Sequence, residues 1–245
     1  MAHRATLRIG TAGWSVPRAV AESFPDTGTH LERYARLLDC VEINSSFYRS
    51  HRVQTYCRWA GATPPNFRFS VKMPRDITHN ARLRGVREPL QQFLGEVRGL
   101  GRKLGVLLVQ LPPSFAFDAR PVGRFFALLR ALHADPAVCE PRHPTWFDGR
   151  ADRVLERYGI GRVAADPAVV AEAAYPAGAP EVAYFRLHGS PRMYWSRYSA
   201  EDVERWHQSL AACSAARSVW CIFDNTAEGA ATWNALELNA LAGHA

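Results

Sequence analysis

The sequence predicts a single closed (β/α)8 barrel of the TIM type, and three observations predict it. Eight short apolar runs recur along 245 residues, roughly 30 residues per unit. Helix-like stretches fall between them, and alternating strand and helix patterns imply parallel βαβ units. No linker rich in Gly, Pro or Ser divides the chain, so residues 1–245 read as one domain. An open doubly wound sheet is the main rival architecture.

The strand-like runs lie at 6–10, 40–44, 67–73, 105–111, 137–142, 162–166, 183–189 and 219–224. Helix-like stretches include 31–38, 88–100, 122–132, 200–212 and 228–241. The repeat is irregular between the sixth and seventh strands. Only about sixteen residues separate them, and 169–180 is built of alanines, prolines and glycines. The 189–199 loop after the seventh strand is long for a βα turn, and long loops often carry function.

Parity within the strands says which side chains share a face. Val41 and Ile43 face one side, Glu42 and Asn44 the other. Phe67, Phe69 and Val71 alternate with Arg68, Ser70 and Lys72; Phe185 and Leu187 alternate with Tyr184, Arg186 and His188. Val138, Glu140 and Arg142 share a face of the fifth strand, and the sixth ends in Asp166. In a barrel the apolar face meets the helices. The polar groups, Asp166 among them, are therefore expected inside, toward the C-terminal strand ends where barrel enzymes place their chemistry.

Composition narrows the classes further. With 47% hydrophobic and 22% charged residues the chain is globular, and no run of about 18 apolar residues predicts a membrane helix. Residues 1–4 lead into the first strand without a signal-peptide core. The five cysteines form no CxxC pair, which predicts neither a zinc cluster nor a disulfide framework, and a reducing, cytoplasmic setting. Net charge is +7, and 28 of the 30 basic residues are arginines, Lys72 and Lys103 being the exceptions. That excess admits two readings, a diffuse surface charge from compositional bias or a polyanion-binding face.

Several segments then match one family. They include Gly10-Thr11-Ala12-Gly13-Trp14-Ser15, Val41 through Tyr48, Phe67 through Pro74 with Thr78-His79, and Gln110 through Phe115. Arg142 through Phe147, Tyr184 through Gly189, and Asn225 through Asn234-Ala235 follow in order. Together they resemble the YecE-like family, domain of unknown function number seventy-two. The resemblance covers nearly the whole chain and implies a TIM-type barrel, broadly similar to those of sugar isomerases and endonuclease-IV-like enzymes. It implies no established activity. Two positions depart from the family pattern. Pro141 stands where an aromatic residue is usual, and Asp224 stands where an Asn is usual and adds a carboxylate.

The candidate chemistry centres on charged side chains at the strand ends. Glu42 and Glu140 are candidate acid/base groups, as in glycoside hydrolysis, with His188 as helper. The competing reading is a closed ion network in which Lys72, Arg142 and Arg186 satisfy Glu42, Glu140 and Asp166. Lys72 could pair with Glu42, hold a ligand anion, or form a Schiff base. Glu42, Glu140, Asp166, Asp224, His143 and His188 could ligate a metal, but no HxH or HxxxH spacing occurs and interleaved cations oppose a cluster. No cofactor is therefore expected; a divalent metal is the less favoured alternative.

Ligand contacts are further expected from Trp14, Asn44, Tyr48, Gln110, Trp146, Tyr194 and Asn225 around the mouth. The loop's mixture of Arg192, Tyr194, Trp195 and Arg197 suits stacking on sugars or bases; a simple hydrophobic lid is the alternative. Two functions from different classes result. One is an enzyme, a hydrolase or isomerase, acting on a small anionic ligand such as a phosphosugar or nucleic-acid component, with Lys72, Arg142 and Arg186 holding the anion. The other is a nucleic-acid-binding module without catalysis, and an endonuclease-IV-like metal-dependent hydrolase is a further alternative. No membrane partner is expected, and the sequence assigns no oligomeric state.

Overall fold

Parallel strands need a crossover between them, and this chain supplies one at nearly every step. The computed structural model describes residues 5–243. Its strands are β1 (Thr6–Ala12), β2 (Cys40–Ile43), β3 (Arg68–Lys72), β4 (Leu104–Gln110) and β5 (Ala137–Glu140). After them come β6 (Ile160–Arg162), β7 (Ala164–Asp166), β8 (Ala177–Gly178), β9 (Val182–Leu187) and β10 (Ser218–Phe223). Neighbours run β7-β9-β10-β1-β2-β3-β4-β5-β6-β8. β6 and β7 are two halves of one stretch, joined at Val163. The first half pairs with β5 and the second with β9, so this stretch closes the ring. The result is a TIM-type barrel.

The irregularity expected before the seventh barrel strand is present. A 3-10 turn at Ala171–Ala174 stands in place of a crossover helix, and β8 lies antiparallel on β6. Elsewhere the outer ring consists of α1 (His30–Tyr34), α2 (Val53–Gly61), α3 (Arg87–Val97), α4 (Ala119–Leu132), α5 (Arg150–Arg157), α6 (Ala200–Ala212) and α7 (Ala230–Leu241). Apolar periodicity does not reveal α2 and α5. Each buries too few side chains, Tyr56 in the one and Ala151 with Leu155 in the other.

Strand parity sorts the side chains into two cores. Val41, Ile43, Phe69, Val71, Phe185 and Leu187 pack outward against the helices. The barrel interior holds a smaller apolar plug that includes Val106, Leu108, Val138, Val182, Trp220 and Ile222. Tyr184 stacks on Trp220 within it, ring centroids 6.0 Å apart. The plug seals the interior below the polar residues at the strands' C-terminal ends.

No helix among the described residues is long and apolar enough to cross a membrane. Residues 1–4, read above for a leader, lie outside the described residues.

Gly105 makes room for the plug. A Cβ at that position would lie 2.6 Å from the Trp220 ring. Gly105→Val is therefore expected to cost about 2 kcal/mol through overpacking, read as a lower urea midpoint. An unchanged midpoint would show that the indole is not held where the barrel places it.

Candidate functional site

Above the apolar plug, the strand ends bring together the polar residues of one face. Arg186, on β9, is the centre. Its Nε and Nη2 donate to the two oxygens of Glu42 at 3.0 and 2.7 Å. Nη1 donates to Glu140 Oε2 at 2.7 Å, and Nη2 also reaches Asp224 Oδ2 at 2.9 Å. Three carboxylates from three strand ends thus converge on one guanidinium, whose planar fork suits bidentate pairing. Glu42, Glu140 and His188 have no exposed surface, and Arg186 is 1% exposed. The guanidinium occupies the space between the acids.

Arg142 forms the second tie. Its Nη2 lies 2.7 Å from Glu140 Oε1 and 2.7 Å from His188 Nε2. His188 Nε2 also lies 3.0 Å from Glu140 Oε1, so that ring edge is shared between a guanidinium and a carboxylate. Its Nδ1 lies 3.0 Å from Asp224 Oδ2. Both ring nitrogens are engaged. Tyr184 completes the shell: its hydroxyl donates to Glu42 Oε2 at 3.0 Å and lies 2.8 Å from Ser70 Oγ.

This geometry fixes the charge states. Burial opposes ionisation of Glu140, but Arg142 and Arg186 overcome it and hold its carboxyl well below the usual carboxylate range. Asp224 is likewise lowered, against burial, by Arg186 and by the bond from His188. Arg186 itself is raised well above its ordinary value: Glu140, Glu42 and Asp224 outweigh the cost of burying it.

Lys72 stands apart. No carboxylate oxygen among the described residues lies within 4 Å of its ammonium, and no hydrogen bond reaches it. It lies 4.3 Å from the Phe47 ring centroid and is 8% exposed. Burial and the charge of Arg186 push its pKa down to about 8, against the opposing pull of Glu42, Glu140 and Asp224. The expected Lys72–Glu42 pair is absent because Arg186 and Tyr184 occupy Glu42. His79 packs edge-on to the same Phe47 ring at 4.9 Å; burial and Lys72 push its pKa down to about 4.

Other expected residues are placed differently. Asp166 is not inside the barrel. Arg186 pairs in register with Ala165, so Asp166 falls beside outward-facing Leu187, and Tyr198 donates to it at 2.6 Å. Asp224 takes its place as the third acid. Trp146 is wholly buried in the outer core, its Nε1 donating to Phe115 O at 2.8 Å; it tethers two loops and offers no ligand surface. Trp14 packs edge-on to Trp59. Gln110 donates to the Leu111 carbonyl, and His143 Nδ1 lies 3.0 Å from the Thr145 hydroxyl. Asn225 ties Ser196 O to Asn234.

Asn44 donates weakly to Asp224 at 3.4 Å and leaves its buried Oδ1 without a partner, as Arg142 leaves its Nε. Tyr48 is 72% exposed. Phe47 also lines an open cleft with Tyr48, Asp76 and Glu96, built from the segments after β2 and β3 and from α3.

The loop after β9 folds over His188. Tyr194 meets its ring edge-on at 5.6 Å and has φ +70, a region few non-glycine residues adopt. Backbone bonds to His188 O and from Ala227 N hold it there. The mixed arginines and aromatics of the loop are stacked, Arg192 over Trp195 at 4.1 Å and Arg197 over Trp233 at 4.7 Å.

Comparison with known proteins now bears on the chain. A family model described as "Protein of unknown function DUF72" matches residues 8–245. The chain belongs to the DUF72 family. A curated relative of this DUF72 chain, UPF0759 protein YecE of Escherichia coli K12, is 32% identical over 169 residues. That match covers 65% of the chain and 59% of YecE, so the chain spans about three-fifths of that relative's length. UPF0759 protein YunF of Bacillus subtilis is 21% identical, covering 95% of the chain and 93% of YunF. A DUF72 family protein of Thermotoga maritima superposes with TM-score 0.81 at 24% identity, over 97% of this chain and 99% of that one. Another, from Enterococcus faecalis, gives TM-score 0.82 at 21% identity, over 97% and 96%. These likenesses establish the barrel.

The network predicts a pH signature. The folded carboxyl of Glu140 lies below its ordinary 4.5, so its stabilisation is full above that pH and is lost as pH falls through the depressed value. Arg186→Met takes the bidentate partner from Glu42, leaves Glu140 only Arg142 and His188, and is expected to cost about 3–5 kcal/mol near pH 7. The gap to wild type should narrow toward pH 4, as these acids take up protons. Urea melts across that range check it; a gap that widens in acid contradicts the network.

Proposed function

We propose that this chain binds a small anionic ligand, such as a phosphosugar or a nucleic-acid component, at the C-terminal mouth of its barrel, with Lys72 as the group that meets it. One observation carries the reading. Arg142, Arg186, Glu42, Glu140 and Asp224 bond directly to one another, whereas Lys72, the third cation against those three acids, is buried at the same mouth with no acid within 4 Å. A largely buried ammonium with no hydrogen-bond partner in the protein is costly, and a bound anion would supply one. Exposed Tyr48 and Tyr194 supply flanking aromatic surface for a sugar or base.

The reading shifts weight away from acid/base work by the carboxylates. A general acid needs a raised pKa, and Arg142 and Arg186 move Glu140 in the opposite direction. His188, with both ring nitrogens engaged, positions Asp224 and Arg142. The cysteines are all free, which accords with a reducing, cytoplasmic setting.

Nucleic-acid binding is the second reading, favoured by a separate observation. Exposed Arg84, Arg120 and Arg124 line one cleft near the N-terminal end of α4, and Arg150, Arg153 and Arg157 line another along α5. Phosphate contacts there would make oligonucleotide affinity fall steeply with salt.

Glycerol 3-phosphate is expected to raise the melting temperature of wild type at low salt, and Lys72→Met to abolish the rise. A thermal-shift titration checks this. Equal stabilisation of both proteins moves the anion site away from Lys72.

A further inference from the structure

Lysine is rare in this chain. Of 30 basic residues only Lys72 and Lys103 carry an amine, the other 28 being arginines. Lys103 has an evident structural reason. Its ammonium donates to the carbonyls of Ala60 and Thr63 at 2.6 and 2.5 Å and to the Thr63 hydroxyl at 3.0 Å, closing the C-terminal end of α2. Three donors from one point meet three acceptors in a confined corner, a task that suits an ammonium better than a planar guanidinium. The Lys72 ammonium makes no hydrogen bond and no ion pair among the described residues. Anion binding alone would be served at least as well by arginine, which supplies the cations almost everywhere else in the chain.

What lysine offers and arginine lacks is a nucleophilic nitrogen. We propose that the Lys72 amine condenses with the carbonyl group of a small phosphorylated or carboxylated ligand to form a Schiff base at the barrel mouth. The inference rests on the anion-binding reading above and names the ligand's reacting group.

The surroundings favour it. A desolvated lysine beside another cation is an activated amine, and Lys72 has both features, with the Phe47 ring against its ammonium and the charge of Arg186 nearby. Its pKa, lowered to about 8, leaves a free-amine fraction near pH 7 on the order of a hundredfold above that of an ordinary lysine. The unpartnered Arg142 Nε and Asn44 Oδ1 are further polar atoms of the same strand ends, one donor and one acceptor.

The step balances simply. The nitrogen lone pair attacks the carbonyl carbon, forming a C–N bond while the C=O π pair moves to oxygen. The C–O bond of the carbinolamine then breaks as C=N forms. Overall, ammonium and carbonyl give a protonated imine and one water, which carries off the carbonyl oxygen and two of the three ammonium hydrogens.

Reductive trapping tests it on the whole chain. Wild type is incubated with dihydroxyacetone phosphate or pyruvate, reduced with borohydride and mapped by mass spectrometry; two lysines and the α-amino group are the only primary amines to assign. The expected result is label on Lys72 at least about tenfold faster than on Lys103, rising with pH through about 8 and lost in Lys72→Arg. Label on Lys103 or the α-amino group with Lys72 bare, or equal rates on both lysines, overturns the proposal. Glycerol 3-phosphate, which has no carbonyl, separates the two ideas. If it stabilises wild type while Lys72 stays unlabelled, the Schiff base fails and anion binding stands. If Lys72 is labelled by pyruvate but glycerol 3-phosphate has no effect, the phosphate-binding reading fails and the amine chemistry stands.

Discussion

One buried guanidinium sets the terms for the polar half of this barrel. Arg186 reaches three acids, Glu42 on β2, Glu140 on β5 and Asp224 just past β10, and each contact is 3.0 Å or shorter. Removing these charges from water is expensive, and only well-aligned partners offset it. The alignment in turn depends on the strand register that places all of them at one level. The barrel positions the network, and the network penalises any slip of the strands, since a slip of one residue turns Arg186 toward the helices.

Below that level the interior is apolar, and the two layers support each other. Trp220, Tyr184 and the valines around them exclude water, which strengthens every charged contact above. Tyr184 belongs to both layers, its ring on Trp220 and its hydroxyl on Glu42. Above the network, the loop after β9 presses Tyr194 onto His188 at the cost of a left-handed backbone. The network leaves the Lys72 ammonium without a direct partner at the mouth, and the proposed ligand site rests on that.

Much of this arrangement was legible in the sequence. Period-two alternation put Glu42, Glu140, Arg186 and His188 on one face, because a strand buried on both sides still has to separate its polar residues from its apolar ones. The limits were equally physical. Asp166 was expected inside because parity was carried to the end of an irregular run; the stretch changes partner at Val163, and only the pairing with β9 shows which way it faces. Trp146 and Asn225 sit among candidate residues in sequence yet serve as staples, a distinction that depends on tertiary burial. The isolation of Lys72 could not be read either. Arg186 and Tyr184 take Glu42's two oxygens only in three dimensions, and a linear pairing of Lys72 with Glu42 looks equally good on paper.

Glu140 and Asp224 are held ionised by their arginines and so do not exchange protons near neutrality. Carbon-13 NMR of the side-chain carboxyl groups, titrated from pH 3 to pH 9, measures this directly. The account predicts that the Glu140 resonance remains that of a carboxylate down to pH 4.5, its ordinary midpoint, and below. A Glu140 midpoint above that value would contradict the account and return the carboxylates to the role of acid and base.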